Sequence, residues 1–135
     1  MGIGDNNKIE KTEDVWKSEL TPEQFHTLRE RGTESAFSGK YVDNKETGMY
    51  HCAGCHAPLF SSDTKFDSGS GWPSFTDPVV SEAIETREDT SHGMHRTEVV
   101  CKSCGGHLGH LFEDGPKEKG GKRFCINSCS LDFRA

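Results

Sequence analysis

The chain has 135 residues, room for one compact domain and too little for two good cores. Only 31% of the residues are hydrophobic and 15 are glycine, so apolar burial is thin and an additional staple is expected. A net charge of −6 lacks the basic footprint of a nucleic-acid binder, and no apolar run is long enough to span a membrane. No secretory signal pattern opens the chain, so the expectation is a soluble cytoplasmic monomer. In that reducing compartment six cysteines suit metal binding or catalysis better than disulfides.

Residues 1–13 carry few apolar side chains and read as a disordered tail, leaving 14–135 as the domain. Thr21-Pro22-Glu23-Gln24 then predicts a helix start. Thr21 is the N-cap, Pro22 occupies N1 and Gln24 completes a capping box, with Leu20 and Phe25 as its hydrophobic staple. Gly32 is the expected stop. Beyond Phe37 the helical period gives way to short β-prone runs between Gly, Pro, Asp and Ser. The predicted strands are Gly48–Cys52, Pro58–Phe60, Val79–Ile84, His95–Cys101, Leu108–Phe112, Arg123–Ile126 and Leu131–Phe133. The pattern is that of a mainly β domain, an antiparallel core with short N-terminal helices set to one side.

Cys52-Ala53-Gly54-Cys55 and Cys101-Lys102-Ser103-Cys104 are two CxxC pairs with 45 residues between them. Each pair forms one tight knuckle, and two knuckles supply the four thiolates of a closed, structural Zn²⁺ site. Gly54 and Gly105 suit the turns. Free buried cysteines or separate redox pairs are the alternatives, but a redox CxxC belongs at a helix start in a βαβ setting, which is missing here.

Two cysteines are left, Cys125 and Cys129. Strand alternation puts Arg123, Cys125 and Asn127 on one face, where Arg123 favours a thiolate and Asn127 offers an amide donor. Taken alone, this segment is only slightly better suited to catalysis than to packing. His107-Leu108-Gly109-His110 offers proton donors. Residues three apart face opposite sides of a regular strand, so both histidines serve one site only if Gly109 permits a bulge. One core and one surface histidine is the plainer alternative. Lys65–Phe75 reads as a Gly-rich loop displaying Trp72 and Phe75 to a thioether methyl, or else as a turn capping the core.

Together CxGC, KFDSGSGWPSF, CxxCGGHLGHLFEDGP and RFCINS closely resemble, in order, the B-type methionine-R-sulfoxide reductases, over about residues 15–134. The resemblance implies two antiparallel β-sheets and reduction of methionine R-sulfoxide, in proteins or free, with a thiol reductant such as thioredoxin closing the cycle. Cys125 matches the catalytic cysteine, which passes through a sulfenic acid. His107, His110, Arg123 and Asn127 match active-site residues. Trp72 matches the aromatic that receives the methyl, and Cys52, Cys55, Cys101 and Cys104 match the zinc ligands. In one departure, Ser70 stands where many members carry a resolving cysteine.

A zinc-ribbon interaction module would explain the four cysteines but leave HLGH, GWPSF and Cys125 without purpose. A thiol peroxidase is a second rival. In an extended strand the four residues from Cys125 to Cys129 span about 13 Å, too far for a disulfide unless the chain turns sharply. Cys129 is therefore expected to be a buried packing residue rather than the resolving one, with direct attack of the reductant on the sulfenic acid.

Overall fold

The computed structural model describes residues 11–135. Residues 1–10 of the expected tail lie outside that range, and Thr12 already caps a helix, α1 (Glu13–Glu19), with acidic residues in its first turn and Trp16 buried. α2 (Pro22–Arg29) carries the capping box formed by Thr21 and Gln24, and buries Phe25 and Leu28. It ends differently from expectation. Arg31, not Gly32, takes the left-handed conformation (φ 57°), while the Gly32 N–H donates to the His26 carbonyl at 2.9 Å. Gly32 is needed for space, because a Cβ there would overlap the His26 ring.

Nine strands follow: β1 (Met49–Cys52), β2 (Pro58–Ser61), β3 (Lys65–Phe66), β4 (Ser74–Phe75), β5 (Ile84–Asp89), β6 (Arg96–Cys101), β7 (His107–Phe112), β8 (Arg123–Ile126) and β9 (Leu131–Arg134). They form a three-stranded sheet, β2-β1-β9, and a six-stranded sheet, β3-β4-β8-β7-β6-β5, with every pairing antiparallel. The mainly β architecture with two sheets and short N-terminal helices matches the sequence reading. Two segments depart from it. Val79–Ile84 is a loop and a 3-10 turn, and the strand runs instead from Ile84 to Asp89, with Glu85 to Glu88 exposed. An edge strand facing water needs no apolar alternation, and its charges discourage edge pairing. β3 and β4 are two-residue ladders, too short to leave a period in the sequence.

The sheets meet at an aromatic seam. Phe60 of the small sheet stacks on Phe75 of the large one, with centroids 4.5 Å apart, and Tyr50 meets Phe75 edge-on at 5.2 Å. Each such ring contributes about 1.5–3 kcal/mol by leaving water. The second tie between the sheets is the cysteine cluster, since Cys52 ends β1 and Cys101 ends β6.

Candidate active site

The β7–β8 register sets Cys125 directly opposite His110 and Ile126 opposite Gly109. The two strands approach so closely there that a Cβ on Gly109 would overlap the Cys125 carbonyl oxygen. On the other side of β7 the pairing with β6 shifts between Val99 and Val100, leaving Leu108 unpaired. This bulge turns the two histidines toward the same face, and their rings meet edge-to-face at 5.4 Å. They are not equivalent. His110 lines the cavity above Cys125, while His107 is 3% exposed and stands behind it.

Each histidine leans on a buried carboxylate. His107 Nδ1 lies 2.8 Å from Glu98 Oε2, and His110 Nε2 lies 2.8 Å from Asp89 Oδ2. Asp89 also accepts from the Ser91 hydroxyl (2.6 Å) and the Ser91 N–H (3.0 Å). The Ser91 hydroxyl, His110, the Ser91 N–H and Arg31 together hold the Asp89 carboxyl well below the usual carboxylate range, despite burial. Burial pushes His107 down and outweighs the pull of Glu98.

Arg123, Cys125 and Asn127 line the cavity on one strand face, as alternation predicts. The thiol behaves otherwise. Arg123 is held by Asp114 at 2.8 and 3.2 Å and stacks over Phe112. Burial pushes the Cys125 thiol up, and the lowering by Arg123 and the Ser70 hydroxyl does not cancel it. The Asn127 amide is largely engaged: Oδ1 accepts from the Glu34 N–H (3.0 Å) and Nδ2 donates to the Leu108 carbonyl (3.0 Å), leaving one hydrogen of Nδ2.

The Gly-rich loop brings Ser70 and Trp72 to the cavity. Gly71 (φ 95°) is fixed on two counts, by its backbone and by the Ala36 and Phe37 side chains that crowd its Cα. The Trp72 indole N–H donates to the Glu34 carbonyl at 3.0 Å, which leaves the ring to form a wall. Phe75 is a correction. It is fully buried in the aromatic seam and does not line the Cys125 cavity, so only Trp72 of the expected aromatic pair is displayed there.

Cys129 is also placed differently. The chain does turn sharply after Asn127, in a 3-10 turn over Ser128–Ser130. Cys129 is half-buried rather than buried, and it lines a separate groove with Gln24, Glu34 and Lys40. Its N–H donates to Glu34 Oε1 at 2.9 Å.

None of Cys52, Cys55, Cys101 and Cys104 lines the Cys125 cavity. Their sulfur atoms all lie within 4.8 Å of one another, with Cys52–Cys104 at 3.7 Å and Cys55–Cys101 at 3.6 Å. A tetrahedral ion with metal–sulfur bonds of 2.3 Å places its thiolates about 3.8 Å apart, so the cluster fits a metal ion. Gly54 and Gly106 N–H groups point at the Cys52 and Cys104 sulfurs, at 3.3 and 3.4 Å. The left-handed turn residues are Gly105 and His56, not Gly54, which instead makes room for Trp16.

The SelR domain matches residues 20–135. The peptide methionine sulfoxide reductase MsrB of Methanosarcina mazei is 61% identical over 127 residues, 94% of this chain and 90% of that protein. The chain belongs to the MsrB family. The MsrB of Leptospira interrogans is 55% identical over 96% of this chain and 98% of its own length. The mouse mitochondrial methionine-R-sulfoxide reductase B3 is 55% identical over 95% of this chain, which covers half of that protein. As a member of the MsrB family the chain is an oxidoreductase. Among the described residues no helix is long and apolar enough to cross a membrane.

Four residues of this MsrB site escape the sequence reading: Asp89, Glu98, Arg31 and Arg96. Arg31 Nη2 lies 3.3 Å from Asp89 Oδ1 and 3.2 Å from Glu98 Oε1, and Arg96 reaches Asp89 Oδ2 at 3.5 Å. All four sit in charge-rich stretches that look like solvated surface. Only the Asp89–Arg96 and Glu98–His110 strand pairings turn the carboxylates inward.

Proposed function

We propose that this chain reduces methionine R-sulfoxide in proteins to methionine, with Cys125 as nucleophile and His110 as proton donor. The observation that carries this reading is the juxtaposition of Cys125 and His110 across β7–β8 in one cavity, walled by Trp72. The Trp72 ring receives the methyl of the sulfoxide. Cys125 passes its proton to His110 Nδ1 as its sulfur attacks the sulfoxide sulfur. His110, whose Nε2 is held by Asp89, delivers a proton from Nδ1 to the sulfoxide oxygen. The oxygen passes to Cys125 as a sulfenic acid and methionine leaves. Two reductant thiols then return Cys125 to the thiol, releasing water and forming their own disulfide.

Arg123 and Asn127 position the nucleophile and the substrate, and His107 supports His110 from behind. Phe75 takes no part. Thioredoxin or a similar dithiol is the reductant, acting directly on the sulfenic acid, because Ser70 is no thiol and Cys129 opens into another groove. The metal is zinc, held by Cys52, Cys55, Cys101 and Cys104. Bound there it supplies folding free energy and no chemistry, since four thiolates leave no open position. The protein works as a monomer in a reducing compartment such as the cytoplasm, which suits six cysteines with no disulfide among them.

The deciding experiment is turnover on the separated R and S epimers of a methionine sulfoxide peptide, with thioredoxin as electron donor. Reduction of the R epimer alone, abolished in Cys125→Ser, is the expected result. Equal rates on both epimers, or a Cys125→Ser variant that still turns over, would overturn it.

A further inference from the structure

The site holds two histidines and one job for a proton. We infer that Arg31 is a positioning residue that decides which histidine takes that proton, keeping His107 neutral so that His110 is the one that protonates. This rests on the reading of His110 as proton donor.

The geometry starts at the end of α2. Arg31 adopts a left-handed backbone that few non-glycine residues accept, locked by the Gly32–His26 hydrogen bond. From there its half-exposed side chain reaches two carboxylates that are 4% and 5% exposed. One nitrogen, Nη2, touches both. Each carboxylate thus presents one oxygen to Arg31 and the other to a histidine.

The two carboxylates depend on Arg31 unequally. Asp89 has two donors from Ser91 and a second cation in Arg96. Among the described residues Glu98 has only Arg31 and His107 within ion-pairing distance. The groups around His107 are therefore Glu98 of β6, His110 of its own strand and Arg31 after α2, with Asp89 of β5 behind His110. Take Arg31 away and two buried negative charges face two imidazoles with only Arg96 to balance them. The favoured response is proton capture by the Glu98–His107 pair, forming an imidazolium at His107. That positive charge, in a ring 5.4 Å from the His110 ring, opposes a proton on His110. Arg31 prevents this by supplying the charge itself. Burial and the Arg31 charge act on His107 in the same direction, both lowering its affinity for protons.

The test uses the full chain with its metal, as wild type, Arg31→Gln, Arg31→Met and Arg31→Lys. The Met variant keeps the aliphatic stem if the Gln variant folds poorly. Histidine side-chain NMR titration gives a readout free of activity. The His107 midpoint should rise by about 0.5–1 pH unit in the Gln and Met variants and return most of the way in Lys. Single-turnover reduction of the R-sulfoxide near neutral pH should slow about 3–10-fold in Gln and Met, with KM within about twofold, and recover in Lys. An unmoved His107 midpoint, a change in KM alone, or a Lys variant as impaired as Gln would each overturn the assignment. A wild-type protein that reduces no sulfoxide would sink the functional reading instead, and the His107 titration would still decide the role of Arg31.

Discussion

Cys125 and His110 face each other across neighbouring antiparallel strands, and the strands can close to that distance only because residue 109 has no side chain. Gly109→Ala sets a methyl against the Cys125 carbonyl. It should cost more than about 2 kcal/mol in denaturant unfolding and disable Cys125 chemistry even where the protein still folds. Unchanged stability would show that β7 and β8 separate freely.

The Cys125 thiol is held above its ordinary value by burial, with Arg123 pulling the other way. Alkylation by iodoacetamide, followed at Cys125 by mass spectrometry, should therefore still be accelerating at pH 9. Arg123→Gln removes a positive charge, so the profile should move further up and the rate at pH 8 should fall. A faster rate in that variant would remove Arg123 from the control of the thiol.

Asp89 is depressed by the Ser91 hydroxyl first and by His110 next. A carboxyl whose folded value lies below its unfolded value of about 3.9 contributes stability above that pH and loses it as the pH falls toward the folded value. Asp89→Asn should lower stability at pH 7 by about 3 kcal/mol, with the gap to wild type narrowing between pH 4 and pH 2. A gap independent of pH would mean that shape, not charge, is what Asp89 provides.

Removal of the metal should separate folding from chemistry. A strong chelator, or Cys101→Ser, should lower Tm by more than about 10 °C, because the four thiolates join β1 to β6. Metal analysis should find one zinc per chain. Folded, stable protein with no metal would contradict this.

Ser70 faces the Cys125 thiol, whereas Cys129 opens elsewhere. After one equivalent of R-sulfoxide, wild type should yield a trappable sulfenic acid on Cys125, and Cys129→Ala should turn over normally with thioredoxin. Ser70→Cys should instead yield a disulfide between the introduced thiol and Cys125. Recovery of a Cys125–Cys129 disulfide from wild type in good yield would make Cys129 the resolving residue.

What the sequence determined by itself was local in origin. The Thr21–Gln24 capping box, the alternation of Arg123, Cys125 and Asn127, and the CxxC spacing each depend on residues a few positions apart, and each is found in place. The bulge beside Gly109 was left open by the sequence, and the β6–β7 register decided it. The tertiary structure decided whatever depends on which surface meets which. Asp89, Glu98 and Arg31 lie in stretches that read as solvated charge, and only strand register and the turn after α2 bring them together around two histidines. Phe75 became core, and Cys129 was carried into a different groove from Cys125, because packing across the sheets fixes where a side chain ends. The protonation of Cys125 and His107 belongs to the same class. Burial outweighs the neighbouring charge at both, and burial is a property of the folded surface that no stretch of sequence carries alone.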